Sequence, residues 1–336
     1  AVVHNGIIEN FQEIKNKLLK SGVEFISQTD TEVLAHLLDK YYNGNPIEAI
    51  TKMMVRIRGS YALGILFKDR PGEIYAVRKD SPLIAGRSDC GNFIASDVPA
   101  ILKYTREICF VKNMEILSIT KDGIRLYNID QDELEPEFSR IDWDMEAAEK
   151  KGFEHFMLKE IHEEPEVVKK TIDSLMQVDM KDLLNTMPNL AKYNDIHIVA
   201  CGSAMYAGMI AKSLIETRAR IHVDCVCASE YRYANPIFTD KTLVILVSQS
   251  GETADTIAAL QLAKEHGVDT LAIVNVVGST IAREASFVIY TKAGPEICVA
   301  TTKAYCTQVA VLSLIACNLA YVHGNIDAEE AARITK

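Results

Sequence analysis

Apolar residues follow two different rhythms along this chain. Short, almost wholly apolar runs at 196–200, 223–228, 243–247, 270–274 and 287–290 alternate with helix-like stretches. Strands buried on both faces read this way, so residues 195–336 predict a doubly wound α/β unit with a parallel sheet. Residues 1–130 are different. Phe11, Ile14, Leu18 and Leu19 mark one face of a helix that stops at Gly22. Thr29, Asp30, Thr31 and Glu32 spell a capping box, and Val33, Leu34, Leu37, Leu38 and Tyr41 line the helix that follows. Asn43 to Pro46 close it. Strand-like runs then come at 61–67, 73–77, 93–96, 108–111, 115–119 and 123–127, with turns at 68–72 and 121–123. Helices followed by antiparallel-looking strands predict an α+β layered domain. Between the two rhythms, residues 130–170 are rich in charge and predict a linker leading into a solvated helix. His155 and His162 share its face as surface or packing residues. The apolar stretch 304–322 contains Thr307, Gln308, Ser313 and Asn318, which favours a buried core helix over a membrane span.

Composition narrows the function classes. A length of 336 residues fits two domains, and 48% hydrophobic with 24% charged residues fits a folded globular chain. The net charge of −10 argues against nucleic acid as a partner, because backbone binding needs a basic surface. No signal-peptide pattern opens the sequence, and no membrane segment is expected. The eight cysteines form no C-x-x-C pair; they read as free thiols in a reducing cytoplasm, not as a disulfide frame or zinc site.

The run 243–247 stops abruptly at Ser248, Gln249, Ser250, Gly251, Glu252 and Thr253. That is a strand, a tight loop and a helix start. Unpartnered N–H groups and the dipole at a helix N-terminus favour an anion, and three hydroxyls add donors. No lysine is present, so this is not a nucleotide phosphate loop. The chemistry fits a phosphorylated metabolite held without metal; an ordinary serine-rich βα turn fits the same spacing. Two further polar loops lie at strand ends, Cys201-Gly202-Ser203 after the run 196–200 and residues 299–303 after a later strand, and ligands in such folds sit at strand carboxyl ends. Cys201-Gly202-Ser203 is not a dinucleotide fingerprint.

The sequence resembles the family of glutamine–fructose-6-phosphate aminotransferases (isomerizing). The resemblance is carried by His4 to Asn10, Thr29 to Glu32, Arg58 to Leu63, Ser96-Asp97, His155 to Ile161, Ser248 to Thr256 and Val299 to Ala304. It implies an Ntn-hydrolase glutaminase domain of αββα type over residues 1–140. A charged linker and helix over 141–174 would follow, then the first sugar isomerase (SIS) domain over 175–336. Family members begin with a nucleophilic cysteine and end with a second SIS domain bearing the isomerase groups. Neither is found among these residues, so the sequence reads as a piece of the longer enzyme.

The resemblance also implies roles. Asn5 and Gly6 match the oxyanion hole, where N–H donors meet the charge that thiolate attack places on an amide oxygen; a plain Asn-Gly turn is the other reading. Asp30, expected in the first turn of a helix, matches the residue that binds the α-amino group of glutamine. Ser248, Gln249, Ser250 and Thr253 match the phosphate loop for fructose 6-phosphate or glucosamine 6-phosphate. Cys201, Gly202, Ser203, Val299 and Thr301 match positions lining the sugar. Ala204 and Thr301 each replace a serine common in the family. Glu252 should point away from a phosphate, and Lys303 is either a cation near the pocket or a solvated lysine at a helix start. The resemblance implies no metal or organic cofactor and a homodimer. A phosphosugar sensor and a fructosamine-phosphate deglycase are the rival readings.

Overall fold

The chain folds as two units, residues 1–142 and 143–336. In the computed structural model, residues 1–141, 150, 152–176 and 189–335 are described.

The first unit runs β1 (Val2–Ile8), α1 (Phe11–Lys20), α2 (Glu32–Tyr41), α3 (Pro46–Met54), β2 (Gly59–Ile65) and β3 (Ile74–Lys79). It continues through β4 (Ile84–Ser88), β5 (Gly91–Ala95), α4 (Val98–Ile101), β6 (Glu107–Phe110), β7 (Ile116–Thr120), β8 (Gly123–Tyr127), β9 (Glu133–Leu134) and β10 (Ser139–Arg140). Two antiparallel sheets form, in the orders β1-β2-β3-β7-β8-β9 and β10-β6-β4-β5. The period of two along β2 explains the layering. Tyr61, Leu63 and Ile65 pack with Ile14, Leu18, Val33, Leu34, Ile50 and Met53 of the helices. Ala62, on the opposite face, joins Ala76, Ala85, Cys109 and Leu117 between the two sheets. Each buried Leu or Ile contributes about 1.5–3 kcal/mol.

Local chemistry departs from the sequence reading at three points. Residues 43–46 end α2 but also open α3: the Asn45 side chain accepts the Glu48 N–H at 3.3 Å and Pro46 occupies the first turn. The capping box does not form. The Glu32 carboxylate instead accepts the N–H groups of Ile26 and Ser27, both at 2.7 Å, and these bonds pull its pKa down to about 2. Strand β4 carries too little apolar alternation to be legible, since Gly86 and Arg87 interrupt it.

The second unit runs α5 (Phe156–Met176), β11 (Asp195–Ala200), α6 (Gly202–Arg218), β12 (His222–Cys227), α7 (Ala228–Tyr231), β13 (Thr242–Ser248) and α8 (Ala254–Glu265). Then come β14 (Asp269–Val274), α9 (Thr280–Glu284), β15 (Phe287–Tyr290), α10 (Lys303–Val322) and α11 (Ala328–Thr335). The five strands are parallel, in the order β12-β11-β13-β14-β15. Alternate residues of β11 and β13 feed two cores. Ile196, Ile198, Leu243 and Ile245 pack under α6 and α10. Val199, Val244 and Leu246 pack under α7, α8 and α9.

Helix α10 is long and apolar enough to cross a membrane, yet half of that stretch is buried in the fold. It packs against α6 and α5 through Val311, Leu312, Ile315 and Leu319. The expectation of a solvated helix over the charged stretch is corrected. Lys159 and Glu160 of α5 are each 1% exposed. His155 and His162 do lie at the surface.

Candidate functional site

Strand order places the site. From β11 the sheet grows one way to β12 and the other way to β13, so the loops leaving β11 and β13 diverge and open a crevice at the carboxyl ends of these two strands. A cavity of about 250 Å³ lies there.

Strand β11 delivers Cys201, which caps α6 without a side-chain hydrogen bond, so the first N–H groups of this helix keep no side-chain partner at the cap. Cys201, Ser203 and Ala204 line the cavity. Gly202 does not: it is exposed with φ +57° and only turns the chain into the helix. Burial raises the Cys201 thiol pKa, which keeps it protonated at neutral pH.

Strand β13 delivers the hydroxyl loop. Ser248, Gln249, Ser250 and Thr253 all line the cavity. Ser248 Oγ accepts the Gly251 N–H at 3.0 Å and lies 3.0 Å from Thr253 Oγ1. Ser250 Oγ accepts the Glu252 N–H at 3.1 Å. Gly251 adopts φ +65°, and a Cβ there would fall 2.0 Å from Ser279 Oγ, so only glycine makes this turn. Glu252 does point away, accepting the Thr280 N–H at 2.6 Å and its hydroxyl at 2.9 Å.

The third wall is the segment before α10. Glu296, Cys298, Val299 and Thr301 line the cavity, with Gln308 from the second turn of α10. Glu296 accepts the N–H groups of Thr302 at 2.9 Å and Ala304 at 3.2 Å, and the Thr301 hydroxyl at 2.8 Å. Its charge is therefore spent on the helix start. Lys303 meets neither expectation: it is buried and paired with Glu163 at 2.8 Å. No Lys or Arg is among the described residues lining the cavity, so an anion there would meet hydroxyls, amides and helix dipoles. Sequence reasoning missed Glu296, Cys298 and Gln308. The legible signals were a glutamine inside an apolar helix and an acidic residue ahead of a Thr-Thr helix start.

In the first unit, β1 runs straight through Asn5 and Gly6, which excludes the Asn-Gly turn. Ala1 exchanges backbone bonds with Leu66 and the Glu9 N–H donates to the Arg58 carbonyl, at the two ends of β2, so by register the odd residues of β1 supply the ladder. The even N–H groups, those of Gly6 and Ile8, face the open edge. The Ile8 N–H is taken by Asp30 Oδ2 at 2.8 Å. Asp30 thus precedes α2, whose N-cap is Thr31, and turns toward β1 instead of capping the helix. The Gly6 and Ile8 N–H groups are two residue steps apart along the strand, about 7 Å. Asp30 thus meets β1 at Ile8, two residues beyond Gly6, while Asn5 and Gly6 are both exposed on the strand. His4 supports the group, its Nδ1 lying 3.0 Å from Thr31 Oγ1. Burial lowers the His4 pKa, opposed by the Asp30 charge.

Residues 1–103 match the glutamine amidotransferase domain family, and residues 189–317 match the SIS domain family. A glutamine–fructose-6-phosphate aminotransferase (isomerizing) of Caldanaerobacter subterraneus is 51% identical over 338 aligned residues covering 99% of this chain. One of Clostridium tetani is 47% identical over 334 residues covering 98%. The chain belongs to the glutamine–fructose-6-phosphate aminotransferase family. It spans about half the length of these curated relatives, 56% and 55% respectively. The solved C-terminal domain of glucosamine-fructose-6-phosphate aminotransferase from Francisella tularensis superimposes with a TM-score of 0.52 at 37% identity, covering 56% of this chain and 53% of that one. Membership in this family accounts for both units, a glutamine amidotransferase fold and a parallel-sheet SIS fold, in one chain.

Proposed function

We propose that these residues form part of an enzyme that transfers the amide nitrogen of glutamine to fructose 6-phosphate and yields glucosamine 6-phosphate for hexosamine synthesis. Residues 1–140 are assigned to the glutaminase, 141–174 to a connecting segment and 175–336 to the first SIS domain. The observation that carries this reading is the single cavity lined by Ser248, Gln249, Ser250, Thr253, Cys201, Ser203, Val299 and Thr301.

The phosphate sits against the hydroxyls of Ser248, Ser250 and Thr253 and the uncapped start of α8, and the sugar extends toward Ser203 and Thr301. Neutral donors suit an anion that must enter and leave, because no buried cation has to be re-solvated. In the first unit, Asp30 takes the α-amino group of glutamine, and the Asn5 amide and Gly6 N–H meet the oxygen of the attacked amide. Each such donor is worth about 2.7–4 kcal/mol in the transition state. No residue among the 336 is assigned as nucleophile. We place the protein in the cytoplasm as a homodimer. Tyr206, Met209 and Ile210, exposed on one face of α6, support a second copy as partner.

Calorimetry with fructose 6-phosphate, glucosamine 6-phosphate and unphosphorylated fructose tests the reading. Both phosphates should bind and fructose should not. Ser250→Ala should weaken binding about tenfold or more, the worth of one hydrogen bond to a charged group. Absence of heat with either phosphate, or unchanged affinity in Ser250→Ala, overturns it.

A further inference from the structure

Helix α5 lies outside both matched segments, yet it reaches the wall of the cavity. Its Glu160 is 1% exposed. One carboxylate oxygen accepts the N–H of Ile297 at 2.7 Å and of Cys298 at 3.2 Å. The other oxygen is buried without a hydrogen-bond partner among the described residues. A half-satisfied buried carboxylate is a poor way to stabilise a fold, since desolvation costs several kcal/mol that only paired donors return. Its value lies in what it holds.

What it holds is irregular backbone. Residues 291–302 lie in no helix or strand, and the path to the cavity turns through Lys292 at φ +50° and Gly294 at φ +71°. Backbone N–H groups there have no ladder, and buried ones must find acceptors elsewhere. Two carboxylates supply them from either end. Glu296 holds Thr302 and Ala304, and Glu160 holds Ile297 and Cys298. One turn along α5, Glu163 pairs with Lys303 at the start of α10. The same face of α5 therefore fixes both ends of the wall that presents Cys298, Val299 and Thr301.

We propose that Glu160 is a positioning residue for sugar-phosphate binding: its carboxylate sets the backbone of Ile297 and Cys298 and so the shape of the cavity wall. This rests on the reading of the cavity given above.

The test uses the 336-residue chain and two measurements, amide hydrogen exchange of a peptide covering residues 294–303 without ligand and calorimetric affinity for fructose 6-phosphate. Glu160→Leu should speed exchange and weaken affinity by about tenfold each, the loss expected for bonds to a charged acceptor. Glu160→Gln keeps an acceptor oxygen and should recover most of both. Glu160→Asp, one methylene shorter, should behave as Glu160→Leu and serves if the leucine variant does not fold. Thr171→Val removes another buried tie of α5, to the Thr291 carbonyl, and should leave both readings unchanged. Wild-type exchange and affinity in Glu160→Leu or Glu160→Asp overturn the proposal, as does Thr171→Val reproducing their effect. If the unaltered chain binds no sugar phosphate, the cavity reading falls, and the exchange measurement alone still decides whether Glu160 holds the wall.

Discussion

Lys303 Nζ lies 2.8 Å from Glu163 Oε2, and Lys159 Nζ lies 3.4 Å from the other oxygen of the same carboxylate. Both lysine side chains are 2% exposed. One carboxylate thus serves two buried ammonium groups, and the variants should be unequal. Glu163→Gln removes the anion both lysines share, and breaking a buried pair this way costs about 3–5 kcal/mol. Lys303→Met leaves Glu163 with Lys159 and should cost clearly less. Urea denaturation of the two variants decides; equal or reversed losses would show that the second lysine contributes nothing.

The same cluster predicts an acid limit. Burial pushes the Glu163 carboxyl up, but the hydrogen bond and charge of Lys303, with the charge of Lys159, outweigh it and leave the pKa below the ordinary 4.5. A depressed carboxyl pKa means the unfolded state takes up the proton first as pH falls. The stabilisation is complete above about pH 4.5 and is lost as pH drops through the folded-state value. Unfolding free energy measured from pH 6 to 3 should fall more steeply in wild type than in Glu163→Gln; parallel curves would refute the assignment.

How far the sequence discloses this molecule depends on where each residue's partner lies. The parallel strands were legible because runs such as 243–247 are buried on both faces whatever their neighbours. The hydroxyl loop was legible because a strand, a glycine turn and a helix start are consecutive in sequence. Glu252 could be read as turned away because like charges repel. Lys159, Glu160 and Lys303 could not be read. Glu160 and Lys303 find partners more than a hundred residues away, at Ile297 and Glu163, Lys159 shares the Glu163 carboxylate from four residues before it, and a charged stretch looks the same whether it is solvated or buried in pairs. The expected place of Asp30 in the first turn of a helix failed for a related reason: the local code favours a helix start there, but the N–H of Ile8 across the fold wins its carboxylate.

Gly6 is fixed by sterics. It holds φ +137°, and a Cβ would sit 2.1 Å from the carbonyl oxygen of Ser60 on β2. Gly22, at φ +86°, has nothing within 4 Å of such a Cβ. Gly22→Ala should therefore cost only the backbone strain, about 1–3 kcal/mol, whereas Gly6→Ala must also push β1 off β2 and should cost more. Thermal denaturation of the two variants checks this; Gly6→Ala no worse than Gly22→Ala would mean the strands separate freely there.

The role proposed for Asp30 can be separated from its part in folding. Its Oδ2 accepts the Ile8 N–H, and Asp30→Asn keeps an oxygen able to do so while removing the charge. The variant's stability should stay within about 1 kcal/mol of wild type, the worth of one ordinary hydrogen bond. Recognition of an ammonium group depends on the charge itself, and losing one member of a close charge pair costs about 2–5 kcal/mol of binding. Affinity for glutamine, followed by calorimetry beside an unfolding curve, should thus fall by more than about tenfold with little change in stability. Asp30→Ala, which also strips the Ile8 N–H of its acceptor, should lose both. If Asp30→Asn binds glutamine as the wild type does, the carboxylate serves β1 alone and the amino-group site lies elsewhere.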